Sequence, residues 1–159
     1  MLKKLKKKQR KKKKMTKIEI PNPPSPVGNY TAYKIVNNLI YISGQLPIDK
    51  NGEMIKGTIG KNLTLEDGQK AARLCILNSI GQLKNAIKDL DKVVQCIKMN
   101  GYINCTSEFT DHPKLLNSAS DLLVTIFGNK GSHARAVVGV ISLPLDAAVE
   151  IETIFEIKV

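Results

Sequence analysis

From Tyr30 onward, apolar runs alternate with polar breaks, and the repeat within each run switches between two residues and about 3.6. YTAYKIVNNLIYISGQLP at 30–47 reads as two strands split at Asn37-Asn38. Asparagine tolerates positive φ, so this predicts a hairpin. The next segment, PIDKNGEMIKGTIG, carries turn chemistry at Asn51-Gly52 and predicts a loop. A long helix then starts at Thr64, with Asp67 placed to complete a capping box. Its apolar stripe runs Ile76, Ile80, Leu83, Ile87, Leu90, which puts its end near Leu90-Asp91. DKVVQCIKMNGYINCT returns to a strand, with a break or bulge expected at Gly101. Leu115, Leu116, Ala119, Leu122, Leu123 and Ile126 mark a second helix, stopped by Gly128 or Gly131. HARAVVGVISLPLDAAVEIETIFEI closes the chain as two strands joined across Leu143-Pro144-Leu145-Asp146.

The order β-β-α-β-α-β-β predicts an α+β domain of two layers, a mixed sheet with both helices on one face. In the strand after Arg135, Val137, Gly139 and Ile141 alternate with Ala136, Val138 and Val140, and neither set is polar. A strand apolar on both sides is covered on both sides. Two helices cover only one, so a homo-oligomer with its sheets packed inside is expected.

Charge divides the chain. Of the 25 basic residues behind the net charge of +11, ten lie in MLKKLKKKQRKKKK at 1–14, leaving 15 against 14 acidic residues elsewhere. A block of like charges cannot bury apolar surface, so 1–14 reads as a disordered tail. Its chemistry suits non-specific contact with nucleic acid or an acidic surface, and equally a plain solvated extension. Met15, followed by TKIEIPNPP, is a second candidate start. The Pro-rich stretch 15–29 reads as a linker, and 30–159 as a single domain. No run is long and apolar enough for a membrane helix. The tail lacks the apolar core of a secretory signal. Cys75, Cys96 and Cys105 are too few and scattered for a disulfide framework or a zinc site, which favours a reducing, cytoplasmic setting. His112 and His133 are isolated, so no metal cluster is expected.

Arg135 heads the last apolar stretch, and Glu150 and Glu152 interrupt its second half. In one reading Arg135 reaches solvent or pairs with one of these glutamates, which otherwise charge an exposed strand edge. In the other, the planar guanidinium grips a substrate carboxylate through two parallel hydrogen bonds, and a half-buried glutamate orients water or moves a proton.

SGQLP at 43–47, Asn117, HAR at 133–135 and LP followed by VEIE within 143–152 together resemble the YjgF-type Rid family of reactive-intermediate imine/enamine deaminases, which also carries the name endoribonuclease L-PSP. GYINCTSEFTDHPKLLNSASDLLVTIFGNKGSHARAVVGV is most similar to its divergent endoribonuclease L-PSP/chorismate mutase-like branch. The resemblance runs from about Val27 to Val159. It implies a chorismate-mutase-like fold and a homotrimer with clefts between subunits. It also implies hydrolysis of small 2-imino or 2-enamino acids to 2-keto acids and ammonia, with no cofactor. By the same resemblance Arg135 binds the carboxylate and Glu150 positions the hydrolytic water. Tyr30, Ser43, Gly44 and Asn117 complete the substrate site. Two positions depart from the deaminase pattern: Val137 stands where a cysteine is common, and Gly139 where a polar or acidic residue is common. The departures leave open a trimer that binds a small carboxylate without turnover. A ribonuclease is a further alternative, disfavoured by the near-neutral charge outside 1–14. Chorismate mutase activity has only a shared fold behind it.

Overall fold

The computed structural model describes residues 18–159, so the expected polybasic tail at 1–14 and the candidate start at Met15 lie outside the described residues. The strands are β1 (Tyr33–Val36), β2 (Leu39–Gln45), β3 (Val93–Asn104), β4 (Ala134–Val140) and β5 (Val149–Ile157). The helices are α1 (Leu65–Ile87) and α2 (His112–Phe127). The sheet order is β1-β2-β5-β3-β4, with β3 and β4 parallel and the other neighbours antiparallel. This is the mixed sheet with two helices that the pattern predicts.

The local signals act where the sequence places them. Asn37 takes φ 53° in the β1–β2 turn. Thr64 caps α1, and Asp67 returns the bond to the Thr64 backbone. Two expectations need correction. Helix α1 ends at Ile87 because Lys88 turns to φ 65°, and Leu90 falls in a following 3-10 turn. Strand β3 runs unbroken through Gly101, and its irregularities lie earlier, between Val93 and Lys98. Gly101 meets a packing need instead: a Cβ there would stand 2.6 Å from Leu116 Cδ2 of α2.

The core lies between the helices and one sheet face. Ile40, Ile42, Met99, Ile103, Ile151 and Phe155 meet Ile76, Ile80, Leu83, Leu115, Leu116 and Leu123, all buried. Truncating one of these large side chains to alanine costs about 2–5 kcal/mol. Two buried polar groups of α1 find partners outside the helix, whereas Asn100 Oδ1 of β3 is buried without a partner among the described residues. Ser79 and Thr153 hydroxyls lie 2.6 Å apart, and the Asn78 amide donates to the carbonyls of Leu46 and Ile48. Ile18 and Ile20 pack against this core, and Gln82 of α1 donates to the Pro24 carbonyl at 2.9 Å. The Pro-rich stretch is thereby held along α1.

The other sheet face is mixed rather than wholly apolar. On β4 it shows Ala136 and a half-exposed Val138, as expected, but Ile141 lies beyond the strand and is exposed. On β5 and β3 it carries Glu150, Glu152, Asn100 and Tyr102.

Candidate functional site

Glu150 sits at the start of β5, and the pleat turns it away from the buried Val149 and Ile151. It reaches a cavity of about 310 Å³, lined also by Tyr30, Gly44, Leu46, Leu145 and the Pro24–Val27 segment. Strand β2 carries a register shift between Ile42 and Gln45 against β5, and this shift brings Gly44 onto Glu150. A Cβ on Gly44 would collide with the Glu150 carboxylate, its Cδ standing only 2.8 Å away. The glycine therefore clears space for the acid. Ser43 does not line the cavity; its hydroxyl donates to the Thr31 carbonyl at 2.7 Å and anchors the approach to Tyr30. Leu145 on the cavity rim holds φ 59°, a strained value for a leucine, and the next residue, Asp146, holds φ 61°. The Asn104 amide reaches the Asp146 carboxylate at 3.3 Å and helps fix that turn.

Glu150 is half-buried, and burial raises its pKa, with the neighbouring Glu152 adding to the rise. No hydrogen bond among the described residues occupies its carboxylate. Glu152 differs: it accepts from the Asn100 amide at 2.8 Å and the Tyr102 hydroxyl at 3.1 Å. Glu152 is thus held as a fixed acceptor, and Glu150 is left open to the cavity.

Arg135 lies elsewhere. It is level with Met99 of β3 and, through it, with Thr153 of β5, so it shares the helix-covered face. There Nη1 donates to Asn117 Oδ1 at 2.9 Å and to Ser120 Oγ at 3.1 Å, both from α2. The reading in which Arg135 pairs with Glu150 or Glu152 is therefore overturned. Among the described residues the one ion pair joins Lys70 to Glu66. Arg135 is held by two neutral acceptors and has no acidic partner among the described residues.

The predicted residues thus fall into two clusters. Tyr30, Gly44 and Glu150 share the cavity, with Ser43 supporting it. Asn117 and Arg135 stand together on the far edge. Ser120 was missed from the sequence, although it lies three residues from Asn117 on one helix face. A further pair was also missed: Cys105 Sγ lies 3.5 Å from His112 Nε2 in a shallow cavity, under space that a Cβ at Gly139 would fill. Cys75 and Cys96 are buried as expected, while Cys105 is partly accessible and burial raises its pKa. Among the described residues no group of three or more His, Cys, Asp or Glu is arranged to hold a metal ion. Nor is any helix there long and apolar enough to cross a membrane.

The sequence profile of the family described as "YjgF/chorismate mutase-like, putative endoribonuclease" matches residues 11–157. The chain belongs to the YjgF (Rid) family. A YjgF-family fold is what the sheet order and the paired helices display. The chain is 39% identical over 142 residues to protein TCP17 of Trypanosoma cruzi, covering 89% of each chain. It is 29% identical over 142 residues to a 2-iminobutanoate/2-iminopropanoate deaminase of Dermatophagoides farinae, covering 89% of this chain and 95% of that one. Among solved structures, Atu1372 of Agrobacterium tumefaciens, a protein of unknown function, matches with a TM-score of 0.81 and 42% identity over 85% of this chain and 87% of that one. Family names point both to imine deamination and to RNA cleavage.

Proposed function

We propose that the protein hydrolyses small 2-imino or 2-enamino acids to 2-keto acids and ammonia, in clefts where the Glu150 cluster of one subunit meets the Arg135 cluster of another. The observation that supports this most is the separation of the clusters. Each supplies half of the proposed site: an open carboxylate on a cavity, and an arginine with no acidic partner among the described residues. Strand geometry sets Arg135 and Glu150 roughly 10 Å apart across the sheet and roughly 10 Å along it, on opposite faces. One small ligand reaches both only if a second copy brings its Arg135 to the first copy's Glu150. The part-apolar open face of the sheet suits such packing, and a homotrimer is the arrangement that the family resemblance implies.

In this cleft the substrate carboxylate lies on the free N–H edge of Arg135, fixing the imine carbon before Glu150. A water hydrogen-bonded to Glu150 adds to that carbon, and the carboxylate takes its proton. The resulting carbinolamine collapses as its nitrogen is protonated and ammonia leaves. One water is consumed and one ammonia released. Burial and the neighbouring Glu152 raise the pKa of Glu150, which makes its carboxylate a better proton acceptor than an exposed one.

The ribonuclease reading has less support, because outside residues 1–14 the charge is close to balanced. The test is release of ammonia or keto acid from freshly generated 2-imino acids by wild type and Arg135→Ala. Acceleration lost in the variant supports the deaminase. A folded wild type without acceleration, still binding a keto acid through Arg135, would establish a binding protein instead.

A further inference from the structure

Behind Arg135 runs a chain of hydrogen bonds whose donors can be assigned. His133 Nδ1 lies 2.7 Å from the Gly131 carbonyl oxygen. A carbonyl only accepts, so Nδ1 carries the hydrogen, and in the neutral ring Nε2 is a bare acceptor. Ser120 Oγ, 3.0 Å from Nε2, must then donate to it. That turns the hydroxyl's lone pairs toward Arg135, whose Nη1 donates at 3.1 Å. The second Nη1 hydrogen goes to Asn117 Oδ1 at 2.9 Å. Both hydrogens of Nη1 are consumed, and rotation about the guanidinium is fixed. The Nε and Nη2 hydrogens, which point the same way along the other edge, stay free. That edge matches the two oxygens of a carboxylate.

We propose that Ser120 and His133 are positioning residues that set the carboxylate-gripping edge of Arg135. The proposal rests on the carboxylate-binding role given to Arg135 above. Neither residue touches the ligand. Their effect is confined to ligands that use both hydrogen bonds of the fork, which separates them from residues that merely hold the fold. Ser120 ties α2 to the segment entering β4, so removing its hydroxyl frees the guanidinium to rotate while Asn117 alone restrains it.

The test measures binding by calorimetry of 2-oxobutanoate, and of 2-oxobutanamide as the uncharged control, to the full-length protein. Ser120→Ala and His133→Ala should each weaken 2-oxobutanoate roughly tenfold. Both should leave 2-oxobutanamide at its wild-type affinity, which also reports that the variants are folded. His133→Gln, whose side-chain oxygen can accept in place of Nε2, should recover most of the loss. In turnover, the alanine variants should raise KM for 2-imino acids with little change in kcat. Wild-type affinity for 2-oxobutanoate in Ser120→Ala, or equal losses for both ligands, would overturn the proposal. If keto acid binding follows this pattern while no variant and no wild type releases ammonia, the deaminase reading falls and the positioning role stands.

Discussion

Arg135 and Glu150 point to opposite faces of one sheet, on strands separated by β3. The register makes this unambiguous. Arg135 is level with Met99 and Thr153, which face the helices, while Glu150 is level with Tyr102 on the other side. The two residues that the proposed deamination needs at one small molecule are thus kept apart within each copy, and under that proposal the site forms only between copies.

Gly44 is the position most sensitive to a single added carbon near the site. In Gly44→Ala the new methyl displaces the Glu150 carboxylate, since no other atom is as close. A displacement of about 1 Å in a catalytic group lowers the rate by about a hundredfold. Ammonia-release assays should show that loss, with the folded state retained by circular dichroism.

The pH dependence follows from the raised pKa of Glu150, whose ordinary value is 4.5. A carboxyl with a higher pKa folded than unfolded binds more protons in the folded state as pH rises past 4.5. Stability therefore declines across the window between the two pKa values and stays lower above it. Glu150→Gln removes the titration. Its melting temperature should exceed wild type above the window and lose that advantage in acid. In the proposed catalysis the carboxylate is the active form, so kcat/KM should fall as pH drops through a value above 4.5, and Glu150→Gln should be inactive across the whole range.

Inside the core, Ser79 and Thr153 satisfy each other. Thr153→Val leaves the Ser79 hydroxyl buried without its partner and should cost about 1–3 kcal/mol by urea unfolding. The double variant with Ser79→Ala should regain part of that loss.

At Gly101 the space is taken by Leu116. Gly101→Ala should destabilise by about 1–3 kcal/mol through overpacking. Pairing it with Leu116→Val, which withdraws the contact, should recover some of the loss in the same unfolding measurement.

What was legible in the sequence is what depends on neighbours along the chain. The Asn37-Asn38 turn, the Thr64–Asp67 box and the stripe from Ile76 to Ile87 are local and appear as expected. Gly101 misled because a glycine in a strand signals a bulge, whereas here a leucine from a helix eleven or more residues later decides it. Leu90 fitted the stripe, but nothing in its spacing reports that Lys88 reverses the backbone. The site was legible as residue types and not as an arrangement. Parity along a strand places Glu150 with Glu152. It cannot relate Glu150 to Arg135, because the turn at Leu145 and Asp146 and the intervening β3 break the count. Ser120 carried a signal that went unread, since it lies three residues from Asn117 on a helix. His133 is legible as a cleft neighbour two residues from Arg135, but that parity does not report its bond to the Ser120 hydroxyl.

The most direct test of the central claim is complementation between inactive copies. Arg135→Ala and Glu150→Ala proteins would be unfolded together, refolded as a mixture and assayed for ammonia release from a 2-imino acid. Each alone should be inactive. In a random mixture of equal parts, a cleft with one intact arginine and one intact glutamate arises at about one quarter of positions, so the mixture should regain about a quarter of wild-type activity. A mixture that forms hybrid oligomers and stays inactive would contradict a site shared between subunits.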